Sequence, residues 1–159
     1  MKKDLLVPFD GSKNATEALH LAITWAKMLQ EKIILVNVQH SFRTIHTKMF
    51  FSDHDIHEYQ EQLFQEAVAP AKKILEDSGV EFEAKLRIGD AKEQICLEAT
   101  LDQPYKPGEC LTAGVRMIIM GSRGMNPVLG GLLGSVSYSV VNAAPCMVTI
   151  VPYSCEETI

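Results

Sequence analysis

Residues 117–135 read MIIMGSRGMNPVLGGLLGS and place a short apolar run directly before a segment rich in glycine. The apolar run at 117–120 predicts a buried strand, and residues 135–142 predict a helix that begins just after Gly134. Glycines stand at positions 121, 124, 130, 131 and 134, where the lack of a Cβ lets backbone N–H groups approach an anion. The free N–H groups and the dipole at the start of the helix favour a phosphate there.

Strand and helix patterns alternate along the rest of the chain. Apolar or alternating runs predict further strands at 5–9, 33–38, 80–86 and 147–151, and helical periodicity marks 14–30, 55–77 and 91–101. This alternation implies an α/β fold in which an open parallel sheet of five strands carries helices on both faces. Residues 40–54 and 102–114 are predicted to be loops. Because no linker or repeat divides the chain, a single domain is expected over 1–159.

Prolines and capping residues add local detail to this outline. Pro8 cannot donate to a sheet ladder, so it is expected near the end of the first strand. Pro70 is expected to kink or restart the helix predicted over 55–77. Either Ser12 or Asn14 could cap the first helix, because Glu17 follows Asn14 at the spacing of a capping box.

Composition narrows the class of protein. The net charge of −5 and the pI of about 5.5 argue against a nucleic-acid partner, which would favour a basic surface. Apolar runs fall short of the roughly 18 residues that span a bilayer, and the run at 5–9 is too short for a signal-peptide core, so a cytoplasmic protein with no membrane partner is expected. The four cysteines form no CxxC pair and are expected to be free thiols.

Three predicted strands end in residues that can contact a ligand. In an open parallel sheet, ligands bind beyond the carboxyl ends of the strands. Asp10 follows the first strand, residues 38–40 end the second, and Gly121 follows the fourth. If the first and fourth strands are neighbours, Asp10 and Gly121 face each other, and the Ser135 hydroxyl can bind a phosphate oxygen or a phosphate-bound Mg²⁺. GxxxxGK[ST] is absent, and GxGxxG does not follow the first strand, which argues against a Walker loop and against NAD.

The spacing of the glycines resembles that of a known family. Gly121-x2-Gly124-x9-Gly134-Ser135 is similar to the G-x2-G-x9-G-[ST] signature of ATP-binding universal stress proteins. Four other segments resemble the family in the expected order: VPFDGS at 7–12, IGDA at 88–91, IMGSRG at 119–124 and APCMVTIV at 144–151. The resemblance extends over nearly the whole chain.

The resemblance implies an adenine nucleotide alpha hydrolase-like fold with strand order 3-2-1-4-5, and a homodimer formed by pairing the fifth strands at 147–151. The sequence departs from the family pattern in two places. Val115 and Arg116 stand where relatives usually carry an aspartate before the fourth strand, and the loop at 101–114 is longer than usual. Neither change alters the glycine signature.

The resemblance also implies a role for each site residue, with ATP and Mg²⁺ as the bound groups. Asp10 would contact the ribose or the adenine, and Val38 would contact the adenine through its backbone. Gly121 and Gly124 would hold the ribose and α-phosphate, whereas Gly134 and Ser135 would bind the outer phosphates together with Mg²⁺. The implied nucleotide site further includes four neighbours of these residues: Pro8, Met120, Arg123 and Val136.

Several of these residues have a plainer interpretation. Asp10 could merely cap the first helix, and Arg123 could be a solvated loop residue rather than a phosphate contact. His54 and His57 have a spacing that suits a metal, but solvated residues at a helix start are the favoured interpretation. Phe50 and its neighbour Phe51 could form a lid or a dimer contact, but core packing is favoured.

These observations favour a non-catalytic regulator of the stress response that binds ATP and acts as a homodimer. Ser135 has no histidine partner near it in sequence, and the residues around it do not form a nucleophile elbow. The alternative is a slow ATPase or a phosphate-transferring enzyme of the same fold. A third hypothesis, an interaction module with a vestigial site, predicts that no nucleotide binds.

Overall fold

A computed structural model describes residues 3–100, 114–124 and 133–154 of the chain. Over these residues, strands and helices alternate as the sequence predicts. The elements are β1 (Asp4–Pro8), α1 (Lys13–Leu29), β2 (Ile33–Gln39), α2 (Ile45–Phe50), α3 (Asp53–Ser78), β3 (Phe82–Ile88), α4 (Ala91–Glu98), β4 (Val115–Gly121), α5 (Ser135–Ala143) and β5 (Met147–Val151). None of the described helices is both long and apolar enough to cross a bilayer.

The five strands form one parallel sheet in the order β3-β2-β1-β4-β5. This order confirms the predicted fold, and it makes β1 and β4 neighbours at the centre of the sheet. One core cluster packs α1 and α3 against one face, with Leu19, Val68 and Leu75 fully buried. A second cluster packs α4 and α5 against the other face around Ile118 and Val140. The sheet is therefore covered on both sides, and the carboxyl ends of its strands lie at one edge, where open parallel sheets usually bind ligands.

Helices α2 and α3 differ from the prediction. The segment 40–54, predicted to be a loop, contains α2, which begins after a capping box between Thr44 and Thr47. Helix α3 runs without interruption through Pro70, whose exposed position leaves the packing of its buried neighbours intact. The prediction that Phe50 and Phe51 pack in the core was wrong, because these side chains are 78% and 57% exposed.

Pro8 is accommodated because it is the last residue of β1. The ladder continues one residue later, where the Phe9 N–H donates to the Val36 carbonyl at 2.8 Å. The Phe9 carbonyl accepts from the buried side-chain amide of Asn37 at 2.8 Å. Asn37 therefore replaces a backbone partner at the point where β1 leaves the sheet.

An ion pair at the opposite end of the sheet accounts for Arg116, which departs from the family pattern. Arg116 donates through Nε to Glu31 at 2.7 Å and through Nη2 to the other carboxylate oxygen at 2.5 Å. The backbone N–H of Lys3 also donates to Glu31, at 3.1 Å. Because the Glu31 side chain is only 2% exposed, these donors are what allow its charge to be buried.

Arg116→Ala is expected to lower the free energy of unfolding by about 2 kcal/mol, because it leaves the buried Glu31 carboxylate without its bidentate partner. Chemical denaturation of the purified protein measures this change. Lys32→Ala is the matched control, since Lys32 pairs with Asp4 and Glu83 at 3.6 and 3.7 Å on the surface and should cost less than about 1 kcal/mol. Equal effects from the two variants would contradict the special role of the Arg116 pair.

The contribution of this pair should depend on pH. Hydrogen bonds from Arg116 hold the pKa of the Glu31 carboxyl below its ordinary value. The stabilisation is therefore complete above the unfolded pKa, about 4.3, and is lost as the pH falls through the lower folded value. The stability difference between the wild type and Arg116→Ala should shrink over that acidic range.

Candidate functional site

The turn after β1 places Asp10 at the carboxyl edge of the sheet. Gly11 has a φ of +85°, and the Ser12 N–H donates back to Asp10 Oδ1 at 2.9 Å. Ser12 is the N-cap of α1, because its hydroxyl accepts from the Ala15 N–H at 3.1 Å. Asp10 therefore shapes the turn without capping the helix, and its side chain is exposed.

The structure brings Asp10, Gly124 and Gly134 together. A Cβ built on Gly124 would lie 3.1 Å from Asp10 Oδ2, and a Cβ built on Gly134 would lie 3.3 Å from the Ser122 carbonyl oxygen. The Gly134 N–H donates to that same carbonyl at 2.7 Å. Two glycines of the signature, one before and one after the segment 125–132, thus lie close together, and Gly124 stands beside the Asp10 carboxylate. The intervening glycines at 130 and 131 lie outside the described residues.

Helix α5 begins at the same place. Its N-cap is Gly134, which has no side chain, and no described side chain accepts a hydrogen bond from its first turn. Ser135 and Val136 are exposed at this end of the helix. The first N–H groups of a helix and its dipole attract an anion, so this end supplies phosphate-binding chemistry next to the two glycines.

Gly121 has a structural role that sequence reasoning missed. It is buried at the end of β4, and a Cβ on it would lie 2.6 Å from Asn14 Cγ and 2.7 Å from Asn14 Oδ1. The Gly121 carbonyl accepts from the buried hydroxyl of Ser137 at 2.9 Å. The space over Gly121 is therefore taken by Asn14, and a ligand contact at Gly121 remains a prediction.

Asn14 is the buried centre of a hydrogen-bond network at the start of the glycine loop, the segment 121–135 that carries the glycine signature. Its side chain is fully buried and accepts from the backbone N–H of Arg123 at 3.0 Å. Of the two residues predicted as possible caps of α1, Ser12 and not Asn14 occupies that position. The pairing with Glu17 that suggested a cap does exist, since Asn14 Nδ2 donates to Glu17 at 3.1 Å. It joins two side chains of the helix and leaves the backbone N–H groups to Ser12.

The remaining predicted site residues border the same edge. Pro8 and Val38 are half-buried at the carboxyl ends of β1 and β2. Met120 is 5% exposed and belongs to a core cluster against which Val38 also packs. A ligand at this edge would therefore meet Met120 through its backbone.

His54 and His57 are exposed on the first turns of α3. Within the described ranges, no group of three or more His, Cys, Asp or Glu side chains is placed to hold a metal ion. Burial raises the pKa of the Cys146 thiol to about 11, and burial also raises the pKa of the Cys96 thiol. Both thiols are therefore protonated at neutral pH and are poor nucleophiles.

Comparison with known proteins yields a family match and close structural neighbours. A model described as "Universal stress protein family" matches residues 1–104 and 110–152. A protein of Staphylococcus aureus strain USA300, whose name assigns it to the universal stress proteins, is 31% identical over 150 residues, covering 94% of this chain and 83% of its own.

Two solved structures extend the comparison. The structure of hypothetical protein MJ0577 is 28% identical with a TM-score of 0.76, covering 98% of this chain and 99% of its own. The universal stress protein family protein At3g01520 of Arabidopsis thaliana, solved with AMP bound, is 19% identical with a TM-score of 0.62, covering 99% and 95%. At that identity the Arabidopsis structure shows the shared fold alone. The family match and the curated relative both extend over nearly the whole chain, and this chain therefore belongs to the universal stress protein family.

Proposed function

We propose that this chain is a non-catalytic, ATP-binding universal stress protein that acts as a homodimer. The observation that carries the proposal is the convergence of Asp10, Gly124 and Gly134 at the N-terminus of α5. We expect a side chain at either glycine to crowd the space that a phosphate would need to reach the backbone, since a Cβ would already meet Asp10 at Gly124 and the Ser122 carbonyl at Gly134. An adenine nucleotide is the class of ligand that combines such a phosphate with groups for the neighbouring strand ends.

The residues present fit a Mg²⁺-bound triphosphate. Gly124 and Gly134 would leave room for the phosphates, and the first N–H groups of α5 would donate to them. The exposed Ser135 hydroxyl would bind an outer phosphate or its Mg²⁺, which prefers oxygen ligands. When bound, Mg²⁺ offsets phosphate charge that lies near the Asp10 carboxylate. Arg123 would add a cation on the same loop.

The base and sugar would lie toward β1 and β2. Asp10 would accept hydrogen bonds from ribose hydroxyls, and Val38 would offer its backbone to the adenine at the end of β2. Gly121 would border the ribose and α-phosphate region. The AMP-bound Arabidopsis relative supports an adenine nucleotide as the ligand class, and the full glycine signature supports ATP in particular.

Binding without efficient turnover is favoured by the charge of the loop. Residues 121–135 contain no lysine, and Arg123 is their only cationic residue. Phosphoryl transfer needs a positioned nucleophile and concentrated positive charge at the transferred group. The loop offers mainly backbone donors, which suit holding a nucleotide better than cleaving it.

Calorimetric titration with Mg-ATP, followed by chromatography of the recovered nucleotide, tests this function. We expect one saturable site per chain and recovery of intact ATP. Recovery of ADP well above a protein-free control would favour the slow ATPase, and the absence of binding would refute the proposed site. Parallel titrations with AMP and ADP establish whether the outer phosphates contribute to affinity.

The two edges of the sheet differ in a way that supports a homodimer through β5. The β3 edge carries Glu83, Lys85 and Arg87, and charged side chains discourage pairing between edges. The β5 edge, Met147–Val151, carries no charge, and Met147 is 62% exposed. A bare apolar edge strand is readily paired, so a second copy of this strand is its expected partner.

Met147→Lys is expected to convert the dimer to a monomer, because a lysine on an otherwise uncharged edge strand opposes pairing between edges. Light scattering coupled to size-exclusion chromatography measures the mass directly. Met28→Lys is the matched control, since Met28 is 76% exposed on α1 and its replacement should leave the dimer intact. A Met147→Lys protein that stays dimeric would count against pairing through β5.

A further inference from the structure

Asn14 joins the glycine loop to residues 151–154, which end β5 and follow it. On the loop side, its Oδ1 accepts from the Arg123 N–H at 3.0 Å and from the Ser122 hydroxyl at 3.3 Å. On the other side, its Nδ2 donates to the carbonyls of Val151 at 3.1 Å and Pro152 at 3.4 Å. One fully buried side chain thus bonds both segments at once.

The orientation of the Asn14 amide is fixed by these partners. A backbone N–H can only donate, so the atom that faces Arg123 must be the amide oxygen. Backbone carbonyls can only accept, so the atom that faces Val151 must be the amide nitrogen. Rotating the amide by half a turn would oppose donor to donor and acceptor to acceptor. Neither segment can therefore move far without losing a buried hydrogen bond.

The residues after β5 are held by the same network. Asn14 Nδ2 also donates to Glu17, whose carboxylate accepts from the hydroxyl of Ser154 and, at 3.5 Å, from its N–H. Ser122 accepts from the Tyr153 N–H at 3.1 Å. The segment 152–154 is therefore connected to the loop through Asn14 and Glu17 on one side and through Ser122 on the other.

We propose that Asn14 is a positioning residue through which occupation of the glycine loop changes the conformation of residues 152–154, which flank the exposed β5 edge. The inference rests on the nucleotide binding proposed above and adds a route by which that binding alters a surface. A ligand that tightens the loop around Arg123 N–H shifts the acceptor end of Asn14. The donor end, bound to Pro152 and Glu17, carries that shift to Ser154. Because such coupling is reciprocal, the conformation of residues 152–154 also influences nucleotide affinity.

Nuclear magnetic resonance of the ¹⁵N-labelled full chain, titrated with Mg-ATP, tests the proposal. The Gly124 amide reports on the loop, and the Ser154 amide reports on the segment 152–154. In the wild type both resonances should shift and saturate together. In Asn14→Leu, Gly124 should still shift at saturating Mg-ATP, with about tenfold weaker affinity, whereas the response of Ser154 should be reduced to what the Ser122–Tyr153 hydrogen bond still transmits.

Two further variants keep the test decisive. Glu17→Ala interrupts the path outside the loop, and it decides the matter if Asn14→Leu does not fold or no longer binds. It should make the Ser154 response to Mg-ATP smaller than in the wild type, because only the bonds to Tyr153 and Pro152 then remain, and it should leave the response of Gly124 in place. Glu31→Gln is the control, because it perturbs a buried ion pair at the opposite end of the sheet and should leave both responses unchanged.

The outcomes separate this inference from the proposed function. If Gly124 responds in the wild type but Ser154 does not, or if the Ser154 response is undiminished in Glu17→Ala, the inference is overturned and nucleotide binding stands. If neither amide responds in the wild type, the proposed nucleotide site falls and the inference falls with it. A residue with only a structural role would lower stability without separating the two responses.

Discussion

Gly134→Val is expected to weaken Mg-ATP binding by about 100-fold or more, which corresponds to roughly 2.7 kcal/mol. A Cβ at this position would lie 3.3 Å from the Ser122 carbonyl oxygen and 3.4 Å from Arg123 Cα. The two further methyl groups of valine would project into the space between the loop and the first turn of α5. That is where a phosphate must lie to reach the free N–H groups of the helix.

Calorimetric titration measures this loss, and circular dichroism with thermal melting establishes that the variant is folded. Asn142→Val is the matched control, because it adds a valine to the exposed last turn of the same helix, away from the loop. It should bind Mg-ATP like the wild type. A folded Gly134→Val protein with unchanged affinity would show that the phosphates do not bind at this helix.

The fold could be predicted because its signals are local. The strand β5 was predicted at 147–151, where the structure has Met147–Val151, since a short run of branched apolar residues is bounded on both sides by proline. The α2 helix could not be predicted in this way. Its six residues are too few to show a helical period, none of them is buried, and its capping box uses threonine at both positions.

The candidate site could likewise be predicted only in part. The loop can be recognised in the sequence from its glycines alone. The structure brings Gly124 next to Asp10 and Gly134 next to Gly124. Asn14 gives no comparable signal. It lies at a helix start, where asparagine is common as a cap, and its true partners, just after β4 and at the end of β5, are distant in sequence. Only the sheet order, which places β1 beside β4, brings them together.

Gly121→Ala is expected to lower the free energy of unfolding by about 3 kcal/mol. The added methyl group would lie 2.6 Å from Asn14 Cγ and 3.0 Å from the Asn14 backbone oxygen. These distances are shorter than carbon contacts allow, so the end of β4 and the start of α1 must separate. Chemical denaturation measures the loss. Gly124→Ala is the control, because its Cβ would meet only the mobile end of Asp10, at 3.1 Å, and should cost less than about 1 kcal/mol.

Combining Gly121→Ala with Asn14→Ala tests whether the clash with the Asn14 side chain is the cause. Asn14→Ala alone is destabilising, since it leaves the Arg123 N–H and the Val151 carbonyl without their buried partner. In the double variant the new methyl group occupies space that the asparagine side chain has vacated, and only the backbone oxygen remains close. The double variant should therefore lose about 2 kcal/mol less than the sum of the single losses. Additive losses would mean that the Asn14 side chain is not the cause, and the Asn14 backbone oxygen, 3.0 Å from the added methyl group, would then be the leading source of the clash.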